Sequence, residues 1–371
     1  VRPADAAVAE ALAVARRPAL RARLAQQPHR QTWLWTVVVV SVVAFVVAIL
    51  SAPAADATPA QGLGWLLFVG SSVHIAGTGW LFTFSDVRRH VRQHRNRYVI
   101  APISLVAAAA AVAVLLAPKD LSVLLLGYFA WQFFHYQKQN LGLAALSATC
   151  LGVASLRRNE RRSIIVTGWA GIAALMAHPG TLQLPIDPHL GWYPALPFAI
   201  ASCCFAVGVG AGLLGLIRRS AAARPVGFCA VYLLALCFPL PIFVFSSPYA
   251  AVGGMTIAHG LQYLVLVGLV AVGPHGRRAS VTKLTVFVTT ALVGGLLLNL
   301  ASHLHGGGGV ARGCYGAYLG VVMSHFVVDA GIWRLRDPFP RQFLTARIPS
   351  VLGRSVNSPR DASSAGVGSA P

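Results

Sequence analysis

The sequence predicts an all-α protein, a polytopic membrane bundle of about ten transmembrane helices with both termini in the cytoplasm. Three observations predict it. Of the 371 residues, 56% are apolar and only 11% charged. Soluble domains carry roughly 25% charged residues, so this chain has too few to cover a water-facing surface of its size. The apolar residues also come in blocks, most of them roughly 18–25 residues long. That length crosses ~30 Å of hydrocarbon at ~1.5 Å per residue. Finally, the basic residues sit in short clusters between the blocks.

Residues 1–31 form an Ala- and Arg-rich arm, helix-friendly from Ala6 to Gln27 and broken by Pro18. It reads as an amphipathic interfacial helix or a loosely ordered cytoplasmic arm. The transmembrane domain runs from 32 to 336. Its apolar blocks are Thr32–Leu50, Gly62–Phe84, Val99–Ala117, Leu121–Leu143, Ser163–Ala177, Pro194–Ile217, Pro225–Phe245, Ala250–Gly273, Leu284–Ala301 and Gly313–Trp333. Small residues at Ser51–Ala60 resemble a cleavage site, but the polar stretch before the first block is too long for a signal peptide, so that block is read as a retained helix. The fifth block is the shortest and ends near His178. Residues 337–371 are a basic cytoplasmic tail that turns Ser/Ala/Gly-rich and is expected to be disordered after about Arg354.

Basic residues near span ends stay on the cytoplasmic side. With the N-terminus inside, the inner segments hold Arg16, Arg17, Arg21, Arg23 and Arg30, then Arg88, Arg89, Arg92, Arg95 and Arg97. Next come Arg157, Arg158, Arg161 and Arg162, then Arg218, Arg219 and Arg224, Arg277 and Arg278, and the tail from Arg334. Only Lys119 and Arg312 fall outside, which leaves 28 of the 30 basic residues at or near the inner boundary. The net charge of +20 is therefore topological charge beside the anionic lipid of a plasma (inner) membrane. It forms no extended basic face and is not a nucleic-acid footprint. Six cysteines lie mostly in apolar stretches without a CxxC pair, so neither a disulfide framework nor a zinc site is expected.

Ionisable groups inside a membrane are costly and mark functional sites. Four histidines fall within apolar blocks: His74 in SSVHIAGTGW, His135 in WQFFHYQKQN, His259 in TIAHGLQYL and His325 in SHFVVDAGIWR. Their helices all run from outside to inside. Counted from the outer ends they lie roughly 12, 14, 9 and 12 residues deep, a band of ~14–21 Å. Four imidazoles at one depth point to a common metal centre. Residues three or four apart share a helix face, which gives each histidine a polar neighbour. His325 has Asp329, His259 has Gln262, His135 has Gln132 and Gln139, and His74 has Thr78. Metal-bound imidazoles pass their second N–H to such groups. Asp329, the one carboxylate deep in a block, needs a partner, which a metal, a histidine or Arg334 would supply. A single neutral histidine in a bundle is also an ordinary helix-to-helix hydrogen bonder. His90 and His94 sit in the Arg-rich loop, where a solvated or lipid-facing role is expected. His303 and His305 precede an outer glycine run, and His178, His189 and His275 are boundary residues.

The fragments FFHYQKQNLG, AHGLQYL and SHFVVDAGIWRLRDP resemble an uncharacterised bacterial family of multi-pass proteins. The plan of single histidines spread over membrane helices with one H-x-x-x-D is similar to that of the Brp/Blh-type carotene dioxygenases. That resemblance implies a non-haem iron on membrane histidines, and an apolar polyene as the substrate cleaved with O₂. Membrane desaturases match less well, because their clustered boxes contain HH pairs that are absent here.

Four neutral imidazoles suit Fe(II), and also Cu or Zn. Placement at the membrane centre fits an oxygenase of an apolar lipid or isoprenoid, since substrate and O₂ both partition into hydrocarbon. Tyr136, Tyr263 and Trp131 are candidate cavity walls, and a carboxylate-rich di-iron ligand set is excluded. Two alternatives stay open. A pair of the histidines would ligate a haem in a redox protein, or histidines with Asp329 would relay protons in a transporter. No internal repeat of the transporter kind is visible. No residue is assigned a catalytic role.

Overall fold

The computed structural model describes residues 31–53, 61–184, 195–274 and 277–352. The arm before residue 31 and the tail from 353, with their expected interfacial segment and disorder, lie outside the described residues. Among those described there are helices and no strands.

In chain order the helices are α1 Gln31–Leu50, α2 Gln61–Leu81, α3 Ser85–Gln93, α4 Asn96–Leu115 and α5 Pro118–Cys150. Next are α6 Arg158–Ala177, α7 Ala195–Ile217, α8 Val226–Cys237, α9 Leu240–Val244 and α10 Tyr249–Val272. The last are α11 Arg277–Ser302, α12 Gly309–Ile332, α13 Pro338–Arg347 and α14 Pro349–Leu352. Six of these, α1, α4, α7, α10, α11 and α12, are long and apolar enough to cross a membrane, or seven if α2 and α3 count as one span bent by 85°.

The described parts of the expected blocks fall in helices to within about two residues of their ends, with two corrections. The second ends at Leu81 and turns into α3, whose exposed Arg88, Arg89 and Arg92 oppose buried Val87 and Val91. The seventh is split into α8 and α9 at Pro239 and Pro241. Proline lacks an N–H and its ring collides with the preceding turn. α5 is long, but its middle carries Gln132, His135, Gln137, Lys138, Gln139 and Asn140, which lowers its hydropathy.

Side chains are arranged inside out relative to a soluble protein. Val207, Leu297 and Leu196 are 69%, 63% and 66% exposed, while His259, Gln262 and Glu160 are 0% exposed. Apolar faces of this extent need an apolar solvent. Without a hydrophobic drive between helices, packing relies on small residues that let backbones touch. On α12, Gly316 and Gly320 rest on the α4 backbone at Ala109 and Val106, leaving no room for a Cβ.

A buried ion pair ties the start of α6 to the end of α7. Arg219 donates from Nε and Nη2 to the two Glu160 carboxylate oxygens at 2.6 and 2.7 Å. It also reaches the Ala154 and Ser155 carbonyls at 2.9 and 3.0 Å and lies over the Phe228 ring. Glu160 accepts the Arg157 N–H as well. Every strong donor or acceptor in this cluster has a partner, as burial of a charge pair requires.

Candidate metal centre

His74 lies on α2, His135 on α5, His259 on α10 and His325 on α12. Local sequence aims two of them. A π-turn at Val69–Val73 directly precedes His74, and another, Tyr249–Gly253, opens α10. Such turns add a residue to the helix, re-aim the side chains of the next turn and often occur at functional sites. Gly70 and Gly260 face each other where α2 crosses α10, and a methyl at Gly260 would overlap the Gly70 carbonyl. This close crossing brings the rings of His74 and His259 to 4.9 Å.

The four imidazoles form a closed ring. Centroids are 4.9 Å apart for His74–His259 and His74–His325, and 5.0 Å for His135–His259 and His135–His325. All four contacts are edge-to-face. A metal–nitrogen bond of about 2.0–2.1 Å puts each ring centroid about 3.2 Å from an ion, so neighbouring ligand rings would stand about 4.5–5.2 Å apart. The observed spacings fall in that window.

Hydrogen bonding supports the same fit. Both nitrogens of His74, both of His259, Nε2 of His135 and Nε2 of His325 are buried and have no hydrogen-bond partner. A buried polar atom without a partner costs ~1–3 kcal/mol, and each of the four rings contributes at least one such nitrogen, so an ion at their centre would satisfy one on each ring. Ligand atoms of His74, His259 and His325 lie within 4.8 Å of one another, as do those of His135, His325 and Asp329.

Polar and aromatic residues surround the ring. Thr78 Oγ1 is 2.7 Å from His325 Nδ1 and 2.6 Å from the Tyr263 hydroxyl. Tyr263 donates to Asp329 Oδ1 at 3.1 Å. Asp329 Oδ2 lies 3.6 Å from His325 Nε2 and 3.9 Å from His135 Nε2. Gln139 donates to the His259 carbonyl and to Gln262 Oε1, both at 2.9 Å, and Gln262 donates to Ser41 on α1 at 2.9 Å. Tyr136 stacks on His259 at 4.1 Å and Phe326 on His135 at 4.5 Å.

The predicted polar neighbours are present, but several serve another residue than the nearest histidine in sequence. Thr78 bonds His325 instead of His74. Gln132 bonds the Tyr136 hydroxyl at 2.5 Å instead of His135. Gln139 and Gln262 clamp α5 to α10 through each other and a main-chain carbonyl. Arg334 pairs with Asp337 at 3.7 Å and leaves Asp329 to the centre. Trp131 touches Phe326 and is one ring removed from His135.

His90 and His94 lie tilted against each other at 4.3 Å, and His90 lies flat on Phe339 at 4.1 Å. They belong to the packing of α3 on α13. His303 bonds the Asn299 carbonyl, and both it and His305 are exposed. His178 is exposed beside Phe198, while His189 and His275 lie outside the described residues. Sequence reasoning missed Ser41, Phe326 and the Gly70–Gly260 crossing. Only Gly260, next to His259, offered a local signal.

No protein-family model matches the chain, and neither the curated proteins nor the solved structures contain a match to it.

Proposed function

We propose that the chain is a membrane metalloprotein with Fe(II) at His74, His135, His259 and His325, acting as a non-haem oxygenase on an apolar lipid or isoprenoid. The observation that carries this reading is the closed ring of four buried imidazoles, each with at least one unpartnered nitrogen. Iron bound there supplies O₂ activation. The chain's own residues hold the ligands in place through Thr78, Tyr263 and the Gln139–Gln262 clamp, and exclude water with Tyr136 and Phe326. Lipid-facing apolar surface on the surrounding helices lets a substrate arrive sideways from the bilayer. Rings only 4.9–5.0 Å apart leave no space for a porphyrin among them, which weighs against a haem.

The topology proposed with this function is ten spans, with the N- and C-termini cytoplasmic. Contacts between segments assigned to one side support it. Arg157 reaches the Arg218 carbonyl, Arg347 pairs with Asp86, and Phe84 packs on Phe343, all between inner segments. Arg312 bonds the Leu116 carbonyl between outer ones.

A second reading, a proton-coupled transporter, draws on the 85° bend after α2 and the polar chain from His325 to Asp329. Elemental analysis with an optical spectrum of the purified protein separates the readings. Iron without a Soret band is expected. A Soret band means haem, and no metal before or after reconstitution removes the centre and favours the transporter.

A further inference from the structure

We propose that Asp329 is itself a metal ligand, so that a single ion is held by four imidazoles and one carboxylate. This rests on the metal-centre reading and deepens it. The direction of the protons along one hydrogen-bonded chain leads to it. With Asp329 ionised, Tyr263 donates its only hydroxyl proton to Oδ1 at 3.1 Å. Its oxygen must therefore accept from Thr78, 2.6 Å away. Thr78 then has no proton left for His325 and must accept the Nδ1–H at 2.7 Å. Each hydroxyl has one proton to give, so the chain runs His325 → Thr78 → Tyr263 → Asp329. It leaves His325 Nε2 as a bare lone pair.

That lone pair faces Asp329 Oδ2 at 3.6 Å, and His135 Nε2 faces the same oxygen at 3.9 Å. Both distances are too long for hydrogen bonds, and neither nitrogen has another partner. A bare lone pair held against a carboxylate in a dry interior calls for a cation, to which His135 Nε2 can add a second. With metal–ligand bonds of about 2.1 Å these separations correspond to angles of about 120–135° at the ion. The opposite proton polarity requires a neutral carboxyl and puts an N–H on His325 Nε2 with no acceptor in hydrogen-bonding range.

His325 belongs to both groups that bring metal-ligating atoms together, one with His74 and His259, the other with His135 and Asp329. Since its Nδ1 is committed to Thr78, it has one nitrogen to offer, and an ion bound there would have the ligands of both groups to draw on. The carboxylate offsets half the charge of a divalent metal in a low-dielectric site. It also shifts preference toward Fe(II) or Mn(II) and away from Cu(I). Tyr263 and Thr78 are positioning residues that tie the two ligands Asp329 and His325 to each other.

The test loads the detergent-solubilised full chain with Co(II), whose visible bands report coordination number. Wild type is expected to take up one Co(II) per chain with the moderate bands of five-coordination. Asp329→Asn should show the several-fold stronger bands of a four-coordinate ion, with binding weakened about 100-fold. Tyr263→Phe should keep the five-coordinate bands and lose only about 10-fold in affinity, as outer partners of metal ligands do. Should Asp329→Asn fail to fold, the infrared difference between metal-free and Co(II)-loaded wild type decides, because a ligating carboxylate shifts its stretching bands. Unchanged visible bands in Asp329→Asn, or no carboxylate shift in wild type, overturn Asp329 as a ligand and leave the four-histidine centre standing. A wild type that takes up no Co(II) overturns both.

Discussion

At the scale of single residues, the histidines divide sharply by environment. His259 has no exposed surface and two ring nitrogens without a partner, whereas His90 lies flat against Phe339 at the edge of the bundle. His259→Ala and His325→Ala should therefore lose bound metal, while His90→Ala keeps full occupancy in the same elemental assay. Metal retained at wild-type level in the first two would end the case for the centre. Which histidines converge was legible in the sequence, because a polar side chain within an apolar block is conspicuous and helix rise fixes its depth. Which group each partner serves was not. Thr78 lies one turn from His74 yet bonds His325, 247 residues away, and that choice depends on how α2 and α12 are rotated against each other. Spacing along one helix carries no such information.

At the scale of elements, the site depends on helices coming unusually close. Gly70 and Gly260 let α2 and α10 touch at the backbone, and a Cβ at Gly260 has no free volume because its nearest neighbours are the main-chain atoms of Gly70. Gly260→Ala should push the two helices apart. Overpacking of this kind costs about 1–3 kcal/mol, and the added separation of the His74 and His259 rings should lower metal affinity further. Metal titration together with a thermal melt in detergent checks both, and an unchanged titration would show that the crossing does not set the ring geometry. The Glu160–Arg219 pair makes a contrasting case between α6 and the end of α7, helices that carry none of the four histidines. Glu160→Gln leaves a buried guanidinium without its counter-charge, a loss of about 3–5 kcal/mol. The melt should fall while metal content per folded molecule stays at wild type. Helix positions were largely legible, since α1, α4, α7, α10 and α12 begin and end within a few residues of their apolar blocks. The bend after Leu81 and the break at Pro239 were not. Around Pro239 the apolar character continues across the change of direction, to which hydropathy is blind, and after Leu81 it stops at Phe84, so the Arg-rich α3 reads as a loop.

At the scale of the whole molecule, the shared depth of the histidines depends on four helices entering the membrane from the same side. Two sets of contacts bear on this. Outer-assigned Arg312 meets the end of α4 at Leu116, while Arg347 and Asp86, both inner-assigned, pair at 3.9 Å. A single extra or missing span between His74 and His325 would reverse one helix and put such partners on opposite faces of the bilayer. The charge distribution leads to a direct test. Lys119→Cys and Arg89→Cys, each placed in a chain whose six native cysteines are replaced, report the two ends of the bundle. In intact cells a membrane-impermeant thiol reagent should label position 119. It should label position 89 only after permeabilisation, because Arg88, Arg89, Arg92 and Arg95 remain where anionic lipid and the positive-inside bias hold them. Labelling of both positions from outside, or the reverse pattern, would mean that the basic clusters do not lie on one side. The shared depth of His74, His135, His259 and His325 would then no longer follow from the order of the helices, and their convergence would stand on side-chain geometry alone.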